Sequence, residues 1–189
     1  RDPEMSRGLG DVYKRQLYIN MNTADGTQSN AGLFDVLNTN AFVHNLTMQG
    51  GSITQFDTSH FGSSGGSVGS IAGENFGSLK NVYNNGMEIS SQNDSANIGG
   101  IVGYNNGTII DAHNSGIVND KNNDSARIGG IAGYNADDGA ISYSDNNGVV
   151  TGKGDYSSTG GIIGYNQGSV KNSFCLLYTS PSPRDISGS

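Results

Sequence analysis

A unit of about thirty residues recurs in register along this chain, and that regularity restricts the possible folds more than any other feature. Four segments align: Val68-Gly-Ser-Ile71-Ala-Gly73-Glu74-Asn75, Ile98-Gly-Gly-Ile101-Val-Gly103-Tyr104-Asn105, Ile128-Gly-Gly-Ile131-Ala-Gly133-Tyr134-Asn135 and Thr159-Gly-Gly-Ile162-Ile-Gly164-Tyr165-Asn166. The anchoring isoleucines step by 30, 30 and 31 residues, a period typical of solenoids and propellers. Each anchor is followed by a glycine and an aliphatic residue two places on: Gly77/Leu79, Gly107/Ile109, Gly139/Ile141 and Gly168/Val170. A further glycine and an aliphatic run come later in the three complete copies, at Gly86, Gly116 and Gly148. A looser fifth copy opens the series, with Gly32-Leu33-Phe34 as its anchor and Val43, Leu46 and Met48 as its later apolar positions.

Each unit thus reads as three short apolar runs separated by glycine or Asn/Asp corners. Runs this short, bounded by turn residues and rich in β-branched side chains, are strands. Glycine at this density also opposes helix, at about 1 kcal/mol per interior position. The expected fold is all-β: a β-solenoid (β-helix) of about five stacked coils, with roughly 30 residues and three short strands per coil. Neighbouring coils would lie roughly 4.8 Å apart. Ile71, Ile101, Ile131 and Ile162 would then form an interior ladder. Gly73, Gly103, Gly133 and Gly164 would occupy corners that need a positive φ or a close backbone approach. The column Asn75, Asn105, Asn135 and Asn166 would suit a left-handed corner and could bond amide to amide between coils. Polar excursions at 90–97, 120–127 and 152–158 should line up along one edge, which makes that edge a candidate contact surface.

The two ends read differently. The run 175–189 back-translates into a transposase-type adapter of the kind used in sequencing libraries, and 1–16 matches its reverse complement in another frame. Both are expected to be translated adapter. The expected organisation is therefore a loose first repeat and connecting loop over 17–67, then in-register repeats over 68–174, with the protein continuing into further domains on both sides. Five basic and thirteen acidic residues remain in 17–174, a net charge of −8. Cys175, the single cysteine, lies outside that stretch. An acidic surface repels phosphate, so nucleic acid and anionic membrane are poor partners. No apolar run is long enough to insert in a membrane. A regular, cysteine-free, polar chain fits an extracellular or bacterial cell-surface location, stabilised by repetition rather than by disulfides.

The pattern Gly-Gly-Ile-x-Gly-Tyr-Asn followed by Gly-x-(Ile/Val) resembles the GLUG motif. Here it stands as Gly100-Ile101-Val102-Gly103, Gly130-Ile131-Ala132-Gly133 and Gly161-Ile162-Ile163-Gly164. The segment Ser70-Ile71-Ala72-Gly73 departs from it with serine first, and Glu74 stands in the tyrosine position. The likeness covers 68–174 closely and 17–67 loosely. It implies an exported bacterial protein of the adhesin-like or surface class, or the non-catalytic part of an immunoglobulin A-cleaving metallopeptidase. The expected role is a non-catalytic scaffold for adhesion or spacing, with a host glycan or matrix protein as partner. The alternative is a substrate-positioning region of a large exported hydrolase. Either way no enzyme activity is expected of this segment.

Candidate sites are few. His44, His60 and His113 lack metal-pair spacing, and the His-Glu-x-x-His motif is absent. His113 aligns with Tyr83, Asp145 and Phe174, so these histidines read as structural or solvated. No cofactor is expected. Asp120, Asn122 and Asp124 alternate as calcium ligands do, but Ser125 stands where the EF-hand glycine belongs and Ile131 where its glutamate should be. A solvated Asn/Asp turn is the favoured reading. Asp137 and Asp138 form a carboxylate pair of the kind used in glycoside hydrolysis, yet they sit in an insertion of one repeat only. Tyr104, Tyr134 and Tyr165 line up either as a sugar-binding strip or as a packing ladder, and the ladder is preferred.

Overall fold

The computed structural model describes residues 16–22, 30–56, 65–121 and 125–176. All its regular structure is strand, without a helix among the described residues, and the strands stack in parallel as a β-solenoid of about five coils. A lone first strand, β1 (Leu17–Asn22), precedes the coils. Coil one holds β2 (Phe34–Leu37), β3 (Phe42–Gln49) and β4 (Gly51–Phe56), with Ala31 bridged to Val68. Coil two holds β5 (Ser67–Val68), β6 (Ala72–Asn75), β7 (Ser78–Asn85) and β8 (Glu88–Ser91). Coil three repeats it as β9 (Asn97–Gly99), β10 (Val102–Asn105), β11 (Thr108–Asn114) and β12 (Ile117–Asp120). In coil four these become β13 (Arg127–Gly129), β14 (Ala132–Asn135), the broken strand β15 (Ala140–Ser142) with β16 (Asp145–Asn146), and β17 (Val149–Thr151). Coil five ends the described chain with β18 (Ser158–Gly160), β19 (Ile163–Asn166), β20 (Ser169–Lys171) and β21 (Phe174–Cys175).

The coil has four faces where three strands are expected from the sequence. Face I stacks β5, β9, β13 and β18; face II stacks β2, β6, β10, β14 and β19. Face III runs from β3 through β7 and β11 to β15, β16, β20 and β21, and face IV stacks β1, β4, β8, β12 and β17. The extra face comes from the run Ile98-Gly-Gly-Ile101-Val102, which reads as one apolar stretch but folds as two strands around a corner. A Cβ on Gly99 would collide with the Val102 carbonyl, and one on Gly100 with the Gly130 carbonyl. Only glycine allows the chain to turn that tightly.

Register is kept column by column. The Ile71 N–H donates to the Ile101 carbonyl at 3.0 Å, Ile101 to Ile131 at 3.1 Å, and Ile131 to Ile162 at 2.8 Å. Ile71, Ile101 and Ile131 are fully buried, and Ile162, in the last coil, is partly so. The loose opening repeat joins the same columns: Val43 pairs with Leu79, Leu46 with Val82 and Met48 with Asn84. Other interior columns include Val68, Ile98 and Ile128 on face I, Leu79, Ile109 and Ile141 on face III, and Ile53, Ile89, Val118 and Val150 on face IV. Single coils are too thin to hide these side chains, so burial comes from the neighbouring layer. Gly103, Gly133 and Gly164 lie where a side chain would strike the face I backbone at Val68, Ile98 and Ile128 respectively. They serve close approach of faces I and II, and none of them has a positive φ.

Left-handed residues other than glycine stand elsewhere than in the expected column: Ser95 and Ser125 lie in the polar excursions, and the rest share one column. Asn75, Asn105, Asn135 and Asn166 are extended strand residues, whereas Asn45, Asn81, Asp111, Tyr143 and Asn172 have φ between 49° and 60°. These sit midway along face III. One left-handed residue there breaks the alternation, so that Leu79 and Val82, three apart, both point inward. The terminal runs read as adapter fall almost wholly outside the described residues. Of their described members, Cys175 pairs with Asn146 in β16.

Candidate functional site

Most buried polar side chains are committed to intercoil ladders. On face II the Asn75 Nδ2 donates to Asn105 Oδ1 at 2.8 Å, Asn105 to Asn135 at 2.7 Å, and Asn135 to Asn166 at 2.8 Å. The same amides close the following turn by donating to the carbonyls of Gly107, Gly139 and Gly168. A second amide column, not anticipated from the sequence, runs along the end of face III through Asn84, Asn114 and Asn146. Here the side-chain oxygens accept from Met87 N, Gly116 N and Gly148 N, and Asn114 donates to Asn146 at 2.8 Å. Each asparagine precedes a Gly- or Ser-containing turn, which is the sequence signal for it.

The tyrosine column lies on the outer side of face II. Tyr104 and Tyr134 meet edge to face at 5.2 Å, Tyr134 and Tyr165 are tilted at 5.4 Å, and Phe76 extends the row below Tyr104 at 5.9 Å. The Arg127 guanidinium covers two of the rings, 5.3 Å from Tyr134 and 5.6 Å from Tyr165. The Tyr134 hydroxyl donates to Gln167. Burial, then the neighbouring Tyr134 and the carboxylates of Glu74, Asp137 and Asp138, push the Tyr104 phenol above its ordinary pKa. Rings tilted against one another and capped by an arginine have the arrangement of a packing ladder rather than a flat platform.

Asp120 is fully buried at the end of face IV, with Ser157 Oγ 3.5 Å from its Oδ2. Asn122 and Asp124 lie outside the described residues, as does His60. Among the described residues no group of three or more His, Cys, Asp or Glu side chains converges as a metal site would require. Asp137 and Asp138 are exposed in the turn between β14 and β15, closed by Gly139 N donating to Ala136 O at 2.8 Å. His44 is exposed beside Phe42, ring to ring at 4.9 Å. The polar excursions all leave face IV and enter face I. Their backbones bond layer to layer, as in Lys121 N to Ser91 O and Ser158 N to Ala126 O.

His113 is more than a filler of its column. Its Nε2 lies 3.0 Å from Asp111 Oδ1, its Nδ1 is bonded to Asp145, and its ring stacks on Tyr83 at 4.7 Å and 15°. Register brings these together, since Tyr83, His113 and Asp145 are in-line partners on β7, β11 and β16. Beside them a hollow of about 430 Å³ opens on face III, lined by Thr47, Tyr83, His113 and Asp145 and by the amide and hydroxyl side of the next turn at Asn85, Ser115 and Asn147. Aligned residues in a solenoid are spatial neighbours, so the column Thr47, Tyr83, His113, Asp145 is the signal in the sequence that marks this place. Comparison with family models, curated proteins and solved structures finds no match.

Proposed function

We propose that the chain is a non-catalytic repeat scaffold of a secreted or surface-attached bacterial protein, built of GLUG-type repeats and serving adhesion or spacing. The observation that carries this reading is the column-by-column stacking. It builds a repetitive body whose buried amides bind coil to coil and whose loops collect along one corner. A body of that kind displays surface at regular intervals and sets a distance, and both serve adhesion. Its acidic surface favours neutral or basic partners over phosphate. Among the described acidic residues Asp111 and Asp145 are tied to His113, Glu88 is paired with Lys121, and Asp137 and Asp138 lie in an exposed turn.

Arrays of glycans and extracellular-matrix proteins test the adhesive role. Saturable binding to one class of partner supports adhesion, and uniformly blank arrays favour the spacer role. Turnover of a polysaccharide or a protein by the purified chain would overturn the non-catalytic reading.

A further inference from the structure

We propose that the hollow on face III, between Thr47 and Asn147, is a binding subsite for a neutral saccharide. The inference rests on the adhesive reading above and gives it a place and a ligand class. The hollow's volume, about 430 Å³, falls within the roughly 300–1,000 Å³ of small-ligand clefts.

Its lining selects the ligand. Tyr83 stacks one face on His113, and its other face, toward its in-line partner Thr47, offers an apolar surface on which the C–H side of a sugar ring can rest. Around it stand groups that both give and take hydrogen bonds: the amides of Asn85 and Asn147, the hydroxyls of Ser115 and Thr47, and the Asp145 carboxylate as acceptor. A sugar hydroxyl is donor and acceptor at once, and this mixed set matches it. An anionic ligand would meet Asp145, with Asp111 behind His113, and no lysine or arginine lines the hollow. A purely apolar ligand would strip water from the amides without replacing their hydrogen bonds. Among the described residues no group of three or more His, Cys, Asp or Glu side chains is placed to hold a metal ion.

The lining is also set in place before any ligand arrives. His113 is held between Asp111 and Asp145, Asn85 donates to Gln49 at 2.8 Å, and Ser115 bonds both the Asn84 carbonyl and Asn85 Oδ1 at 3.2 Å. The backbone beneath is a parallel ladder with coils about 4.8 Å apart. Side chains fixed in this way lose little freedom on binding.

The test is a titration of the whole ¹⁵N-labelled chain with cellotriose and chitotriose, using sialyllactose as an anionic arm, followed by amide shifts. The expected result is a saturable response to at least one neutral trisaccharide, centred on Tyr83, Asn85, His113, Ser115 and Asn147. Tyr83→Ala should then weaken binding by about tenfold, and Tyr83→Phe, which keeps the ring, should stay within about threefold. Asn147→Arg places a long side chain on the exposed rim and should block the hollow even if Tyr83→Ala fails to fold. Tyr165→Ala, on another face, should change nothing. The proposal is overturned if the folded chain answers none of the neutral sugars, or if Asn147→Arg leaves their binding intact. A response centred on the tyrosine column or the loop corner overturns it too. Binding on arrays with a silent hollow would sink this subsite and leave adhesion standing, whereas blank arrays with a silent hollow would remove both.

Discussion

Tyr143 is the one aromatic residue in the left-handed column of face III, at φ 52° between Asp111 and Asn172. Asparagine and aspartate tolerate this conformation because their short side chains bond to nearby backbone. Other L-residues carry a steric cost of roughly 1–2 kcal/mol there. The Tyr143 side chain is 61% exposed, so little packing offsets that cost. Tyr143→Asn should therefore stabilise the chain by about 1 kcal/mol, seen as a higher urea midpoint at unchanged slope. A lower midpoint would mean that the ring contributes packing that its exposure hides. The residue scale is also where sequence reading ran short. His113 aligned with unlike residues and so read as replaceable. Alignment in a stacked fold means contact, and unlike residues in contact, a tyrosine below and an aspartate above, make a constellation.

Strands here are joined as much by side chains as by backbone. Asn105 accepts from Asn75 and donates to both Asn135 and the Gly107 carbonyl, all fully buried apart from the turn. Asn105→Ala would leave buried donors and acceptors unpaired on two neighbouring coils, so it should cost at least about 2 kcal/mol, at roughly 1–3 kcal/mol per orphaned group. Chemical denaturation of the variant measures this directly, and a loss below about 0.5 kcal/mol would mean that water replaces the amide. The elements were legible where one signal dominated: evenly spaced isoleucines specified parallel stacking, and the loose repeat at Leu33 joined the same columns. They were illegible where two strands met without a polar break. Ile98-Gly-Gly-Ile101 turns a corner by the close approach of backbone, which leaves no Asn, Asp or Pro as a marker. In Leu79-Lys80-Asn81-Val82 the left-handed residue within a strand is marked only by Asn81 itself, aligned with Asn45, Asp111 and Asn172, and by the need for both apolar residues to point inward.

At the scale of the whole molecule, stability belongs to the stack. Ile71, Ile101 and Ile131 are wholly buried because a coil lies on either side, while Ile162 on the last described coil is partly open. The hollow, the tyrosine column and the loop corner all depend on the same register, because each is assembled from successive coils. That register is the central claim, and paired cysteines test it most directly. In a Cys175→Ser background, Ser78→Cys with Thr108→Cys joins Cα partners on β7 and β11, within the roughly 4.4–6.8 Å that a disulfide spans. Ser78→Cys with Ile110→Cys is displaced two residues along the strand, beyond about 7 Å. Under mild oxidation the first pair should close readily within one chain and the second should stay reduced. Equal cross-linking of both pairs, or closure of the displaced pair alone, would contradict a stack in which each coil lies directly over its neighbour.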